Sequence, residues 1–399
     1  MNGKETLENW FSGRALLHPV SDVPSFVDLI RLFSIYSGGP EFPMTRGMND
    51  LRSIVEPADH LVFVLVDGLG LNLTSQFPSG GFFAETLKAE LRAVFPSTTA
   101  AALTTLASGA WPGAHGITGW WTYFSEQQRT ICPLRFLDRT SMISATKFDL
   151  HLDQLLPVRS MYHGFFRESR SYLPRPLDRG EYSEWSRGGT KVAGYRSFDQ
   201  LVRMLSRATR KAKRATFSYV YSMDVDSRIH RNGTADEQVY DAVRQNDYLL
   251  TRLRDALPES ARIIATADHG LIDVPDGHTT ELRSDHRLLS HLAVPPSGES
   301  STPIFHVIAQ HESAFLAEFE RAGLADRFAL ITPDQAEELH LYGPEPLSPL
   351  MRSHLGSWIG IAREPYVLEF VPDNREPIHH RGVHGGLRPE EMRVGLFTA

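Results

Sequence analysis

A continuous apolar run, HLVFVLV over residues 60–66, stops abruptly at Asp67-Gly68-Leu69-Gly70. Its β-branched and aliphatic content predicts a strand buried on both faces, with Asp67 at its carboxyl end. Residues 98–108 are rich in Ala and Leu, with Pro96 before them and Gly109 after, which predicts a helix. The pairs Ser197/Gln200 and Thr234/Glu237 have the S/T-x-x-E/Q spacing of a capping box and predict helices over 198–208 and 235–257. In the second helix, Val239, Ala242, Val243, Leu249, Leu250, Leu253 and Leu257 make one apolar stripe. Two more short apolar segments, 215–221 and 262–267, read as strands.

This alternation of strands and helices predicts an α/β fold with a sheet covered on both faces. Two stretches break the rhythm. Residues 120–195 are aromatic-rich and irregular, and 275–363 carry Pro-Pro-Ser-Gly and Gly-Pro-Glu-Pro punctuation. Both are expected to be insertions forming a cap within a single domain spanning 1–399.

Composition narrows the picture. With 399 residues, 41% of them hydrophobic, the chain can bury a large core. A net charge of −7 argues against a nucleic-acid polymer as partner. The first residues lack a basic segment followed by an apolar run, and no window reaches the roughly 18 apolar residues of a membrane span. One cysteine, Cys132, excludes an internal disulfide and a multi-cysteine zinc site, and its neighbours include no base. These features fit a soluble, cytoplasmic protein with Cys132 as a small buried residue.

The candidate chemistry lies where predicted strands give way to loops. Asp67 is followed by glycines that let the backbone turn; a dinucleotide fingerprint is the rival reading, but the third glycine is missing. Phe95-Pro96-Ser97-Thr98-Thr99-Ala100 sets hydroxyls at a helix start, where free N–H groups suit an anion; simple capping is the alternative. Asp226 and His230 stand one helical turn apart and could share a cation or form a surface pair. Asp268-His269-Gly270 ends a strand, and the glycine permits the kink that lets both side chains reach one ion. His384 precedes two glycines, while His379 and His380 read as solvated or supporting imidazoles. Carboxylates, imidazoles and a hydroxyl in this pattern suit a phosphoryl-transfer site built on two cations about 3.5–4 Å apart.

The order of these strings resembles the alkaline phosphatase superfamily, in particular its type I phosphodiesterase/nucleotide pyrophosphatase branch. Pro96-Ser97-Thr98-Thr99, Ser108-Gly109 and His115-Gly116-Ile117 match the branch's Pro-Thr-Lys-Thr, Thr-Gly and His-Gly-Ile strings at the same distances, selecting Thr99 as the nucleophile. Asp226, His230 and Gly233 match its D-x-x-G-H-x-x-G string, and Ala267-Asp268-His269-Gly270 its S-D-H-G. Two positions depart: Trp120 stands where the branch has an asparagine near the nucleophile, and Ile229 replaces the glycine before His230. The C/S-x-P-x-R string of sulfatases is absent.

The resemblance implies a three-layer α/β/α sandwich of alkaline phosphatase type. It implies one cation held by Asp67, Thr99, Asp268 and His269 and another by Asp226, His230 and His384. The mixed N/O donors suit Zn²⁺, with Mn²⁺ as the alternative. The implied activity is phosphodiester or nucleotide pyrophosphate hydrolysis through a phospho-threonyl intermediate, on a small-molecule substrate; phosphomonoester or phosphonate hydrolysis is the alternative on the same core.

Three smaller signals remain. The basic run 207–214 reads as a solvated helix end. Trp120, Trp121, Tyr123 and Phe124 could stack on a leaving group or pack in the core, and Asp224 could support the metal ligands.

Overall fold

His60–Val66 is the central strand of a seven-stranded sheet, and every residue after His60 is buried. The computed structural model describes residues 3–175, 177–373 and 375–399. Across the sheet the strands run Leu87–Arg92, Arg393–Thr398, Ala261–Thr266, His60–Val66, Thr216–Ser222, Glu168–Pro174 and Lys191–Tyr195. The last five are parallel, whereas Arg393–Thr398 is antiparallel to both of its neighbours. Parallel pairing needs long crossovers, and helices supply them on both faces.

Those helices form two packed groups. Phe26–Ser37 contacts Thr99–Ser108, while Glu237–Ala256 contacts Phe198–Lys211 and Asp224–Asn232. Phe33 of the first group meets Phe63 and Phe217 of the sheet, with ring centroids 4.8 and 5.7 Å apart. Val239, Ala242, Val243, Leu249, Leu250 and Leu253 of the second join the same core. Truncating a buried leucine here, Leu250 for example, is expected to cost about 2–5 kcal/mol. The result is a three-layer α/β/α sandwich.

Two sequence expectations change. Thr234 does not cap: its hydroxyl and N–H both donate to Asp273, and Asp236 accepts from the Gln238 N–H to open the helix at Glu237. Asp273, distant in sequence, captures Thr234 instead. Ser197 does cap, accepting from Gln200, whose side chain reaches back to the Arg196 N–H. The stretch 120–195 also divides. Its early part makes a small sheet of Thr122–Phe124, Arg129–Cys132 and Leu137–Asp138, but Glu168–Pro174 and Lys191–Tyr195 belong to the main sheet.

Within 275–363 lies a separate four-stranded antiparallel sheet, ordered Leu292–Gly298, Pro303–Val307, Trp358–Ala362 and Phe328–Ile331. It has its own apolar cluster around Phe305, Phe315 and Phe319. Among the described residues, no helix is long and apolar enough to cross a membrane.

Candidate active site

The carboxyl ends of the parallel strands carry the polar residues. Asp67 follows Val66 directly; the Asp67 N–H bonds Ser222 O at 2.8 Å, and Asp226 N–H bonds Asp67 O at 3.2 Å. Gly68 makes this junction possible. Its φ of +74° is left-handed, and a Cβ there would lie 2.9 Å from Asp226 Cα. The first turn of Asp224–Asn232 is thereby held against the strand end.

Four buried groups meet beside it. Thr99 Oγ1 lies 3.1 Å from His269 Nε2 and 3.5 Å from Asp67 Oδ1. His269 Nδ1–H donates to Gly270 O at 3.1 Å, which leaves Nε2 bare and facing Thr99, Asp67 and Asp268. Asp268 Oδ1 accepts the N–H groups of Gly68 and His269 at 3.2 and 3.1 Å, so its orientation is fixed by backbone.

The second cluster adjoins the first. His230 Nδ1–H donates to Gly382 O at 2.8 Å and turns Nε2 to Asp226 Oδ1 at 3.2 Å. Ile229, where the family string has glycine, packs on Gly382, whose carbonyl serves His230. His384 Nε2 is 3.9 Å from Asp226 Oδ1, and its ring lies 4.0 Å from that of His269. Ligand atoms of Asp67, Asp268 and His269 lie within 4.8 Å of one another, as do those of Asp226, His269 and His384. Asp268 Oδ2 and His384 Nδ1 are buried without a hydrogen-bond partner, and Asp226 Oδ1 faces the imidazoles of His230 and His384. Orphaned buried acceptors of this kind are costly unless something is to be bound. The donor set therefore fits divalent cations, whose ligands must be deprotonated and converge.

Electrostatics agree with that reading. Burial, followed by repulsion from Asp268 and Asp226, pushes Asp67 well above the ordinary carboxylate range. Burial would also raise Asp226, but His230, His384 and His269 outweigh it and hold it low. Burial would lower His230, yet Asp226 and the Gly382 carbonyl raise it to about 9. Burial and the neighbouring His269 and His230 push His384 well below the usual imidazole value.

The helix Thr99–Ser108 begins without a side-chain cap, since Thr98 makes no capping bond. Its first N–H groups are thus free for an anion at the nucleophile position. Ser97 Oγ bonds Gly386 O at 2.8 Å and accepts Gly385 N–H at 3.2 Å, tying this loop to the His384 loop. His115 is fully buried against Thr105 and lowered to about 3 by burial, a packing role.

Asp67, Thr99, Asp226, His230 and His384 open into one cleft of about 610 Å³, and Asp268 and His269 lie directly beneath it. Trp120 and Trp121 wall the cleft, whereas Tyr123 packs on His306 and Phe124 on His354. His380 lies 4.6 Å from the His230 ring; His379 is exposed beside Glu281. Asp224 acts on Tyr195 and is not in the cleft lining among the described residues. Arg207, Arg210, Lys211, Lys213 and Arg214 face solvent. Cys132 is buried, its thiol pushed up to about 12.

The residue pattern did not single out three cleft residues. Tyr221 read only as a strand position, yet its hydroxyl donates to Asp67 Oδ2. Arg139 is held between the rings of Trp121 and Phe370. Glu299 comes from the turn between Leu292–Gly298 and Pro303–Val307 of the four-stranded sheet.

Fold and site together define a phosphoric ester hydrolase of the alkaline phosphatase superfamily. Within it the chain belongs to the type I phosphodiesterase/nucleotide pyrophosphatase family, whose model matches residues 61–385. Among curated proteins, none matches the sequence. Murine ectonucleotide pyrophosphatase/phosphodiesterase 5 superposes with a TM-score of 0.63 at 15% identity, covering 84% of this chain and 87% of that one. The human counterpart gives 0.62 at 16% identity, covering 85% and 87%. Phosphonoacetate hydrolase from Sinorhizobium meliloti 1021, solved with phosphonoformate, gives 0.58 at 15% identity, covering 84% and 89%.

Proposed function

We propose that this chain hydrolyses phosphodiesters or nucleotide pyrophosphates, with Thr99 as nucleophile. The observation that carries this reading is the position of Thr99 Oγ1. It stands at an uncapped helix start, 3.1 Å from the bare His269 Nε2, beside Asp268 with its orphaned Oδ2. Asp67, Thr99, Asp268 and His269 would hold one divalent cation, and Asp226, His230 and His384 the other. The bound ions, Zn²⁺ by donor chemistry, would lower the pKa of a coordinated hydroxyl and neutralise phosphoryl oxygens.

The chain's own groups supply the rest. Thr99 Oγ1 gives its proton to solvent and attacks phosphorus in line, the leaving oxygen takes a proton from solvent, and the helix N–H groups hold a non-bridging oxygen. The bond to the leaving alcohol or phosphate breaks as the Thr99–phosphorus bond forms. Water then attacks the phospho-threonine, the Thr99 Oγ1–phosphorus bond breaks, and the hydroxyl is regenerated.

An inactive threonine-to-alanine form of the murine relative was solved in complex with AMP, which supports a nucleotide-sized ligand and a threonine role. The phosphonoacetate hydrolase neighbour keeps phosphonates as the second substrate class to test. We read 275–363 as a cap over one catalytic domain, since the cleft is lined by Pro296, Gly298 and Glu299 from it. Localisation in the reducing cytoplasm is supported by the lone, buried Cys132. The test is a panel of bis(p-nitrophenyl) phosphate, p-nitrophenyl phosphate, a nucleotide pyrophosphate and phosphonoacetate with Zn²⁺ and Mn²⁺. Diester and pyrophosphate cleavage is expected to lead; exclusive monoester or phosphonate cleavage would overturn the diester assignment.

A further inference from the structure

Glu299 stands in the turn between Leu292–Gly298 and Pro303–Val307, and the steps above give it no task. Three observations place it between the loop that carries Thr99 and the loop that carries His384. Its Oε1 accepts the Trp120 N–H at 2.5 Å. Its carboxyl lies beside the side chain of Thr98, the residue before the nucleophile. A Cβ added to Gly385 would fall 2.6 Å from Glu299 Cγ, so Glu299 also touches the loop that carries His384. It is wedged between the Thr99 loop and the His384 loop and lines their common cleft.

The local backbone is cleared for it. Gly119 packs against the Gly298 carbonyl and the Glu299 N, where a Cβ would sit 2.6 Å from Gly298 C. Where the family has an asparagine, this chain places Trp120, and that residue's backbone N–H, not its indole, is taken by the acid. Burial pushes this carboxyl up to about 7 against the Thr98 and Trp120 hydrogen bonds that favour its charge, so above that pH it presents charge and no donor, unlike an amide.

We propose that Glu299 is a specificity-determining residue, whose carboxylate faces the phosphoryl group held at Thr99 and disfavours phosphomonoester dianions relative to diester monoanions. This rests on the phosphoester reading above. A monoester carries one more negative charge than a diester, and like charges a few ångströms apart in a low-dielectric cleft repel strongly. The divalent cations favour the more highly charged monoester; the carboxylate opposes that preference.

The experiment uses the metal-loaded chain of residues 1–399 and its Glu299→Gln and Glu299→Asp variants at roughly pH 8.5, above the value of about 7 to which burial raises this carboxyl. It reads kcat/KM for bis(p-nitrophenyl) phosphate and p-nitrophenyl phosphate, the dissociation constant of inorganic phosphate by calorimetry, and metal content. Wild type is expected to favour the diester. Glu299→Gln should raise monoester kcat/KM and tighten phosphate binding by about tenfold or more, narrowing the diester preference, with metal content unchanged. Glu299→Asp, which keeps the charge, should keep the wild-type order of preference. An unchanged diester-to-monoester ratio in Glu299→Gln would mark the residue as a brace for Trp120 and overturn the proposal. Loss of metal would overturn it too, and so would a monoester preference in wild type, which needs no variant to fold. Wild type that binds metal yet cleaves neither ester would instead fail the phosphoester reading itself.

Discussion

Across the ends of two adjacent parallel strands, Tyr221 donates its hydroxyl to Asp67 Oδ2 and leaves Oδ1 facing Thr99 and His269, 3.5 Å from each. The phenol thus decides which oxygen of Asp67 is offered to a ligand. Tyr221→Phe removes that constraint without changing the ring. Loss of a partner that orients a metal ligand typically costs about 10–100-fold in affinity or activity. We expect a loss in this range for Zn²⁺ affinity, measured by chelator competition. An unchanged affinity would show that burial alone orients Asp67.

Thr99→Ala should remove nearly all turnover while leaving the fold intact, and Thr98→Ala should be far milder. Only Thr99 Oγ1 reaches His269 Nε2, at 3.1 Å. Steady-state rates with matched circular dichroism check this, and a reversed order would move the nucleophile by one residue.

Protein purified without chelator should carry up to two divalent ions per chain, and EDTA should abolish hydrolysis. Metal analysis by mass spectrometry decides the number; finding none after reconstitution would remove the two-metal reading.

His230 gives the site a pH signature. In the metal-free protein its pKa is raised to about 9 by Asp226, so at pH 7 the imidazole is protonated. A cation at Asp226 must displace that proton, so binding at pH 7 should release protons and tighten as pH rises toward 9. Stability runs the other way. A raised folded-state pKa contributes stability that is complete below the unfolded value of roughly 6.5 and lost as pH rises through the folded one. Metal-free protein should lose this contribution between those limits, and His230→Gln should flatten that part of the Tm-versus-pH curve. Calorimetry in buffers of different ionisation enthalpy counts the protons.

Gly68→Ala places a Cβ at φ +74°, 2.9 Å from Asp226 Cα and 2.7 Å from Leu271 Cδ1. A left-handed alanine costs about 1–2 kcal/mol before any clash is counted. We expect lower Tm together with a larger loss of activity, because relief must move Asp226. A variant that loses Tm alone would separate the turn from the site.

Much of this was readable in the residues because strand ends announce themselves. Asp67 closes a run of buried aliphatics, and Asp268-His269 follow a shorter one, so the hydrophobic pattern located the loops where polar groups gather. What escaped lacked that contrast. Glu168–Pro174 reads ESRSYLP, too polar to show as a sheet strand, because only Ser171 and Tyr172 in it are fully buried. Thr234 fitted a capping pattern whose outcome depended on Asp273, distant in sequence. Glu299 stands in a turn flanked by small and polar residues, where its neighbours in space, Thr98, Trp120 and Gly385, leave no trace in its neighbours along the chain.

Arg393–Thr398 inserts between Leu87–Arg92 and Ala261–Thr266. During synthesis Leu87–Arg92 must therefore wait, without this partner, until Arg393–Thr398, far later in the sequence, has left the ribosome. Domains generally gain structure as they emerge, and an exposed strand edge invites pairing with other chains. Leu87–Arg92 reads LKAELR, and its charged residues fit that exposure: Lys88 and Glu90 keep the waiting edge soluble until its late partner arrives.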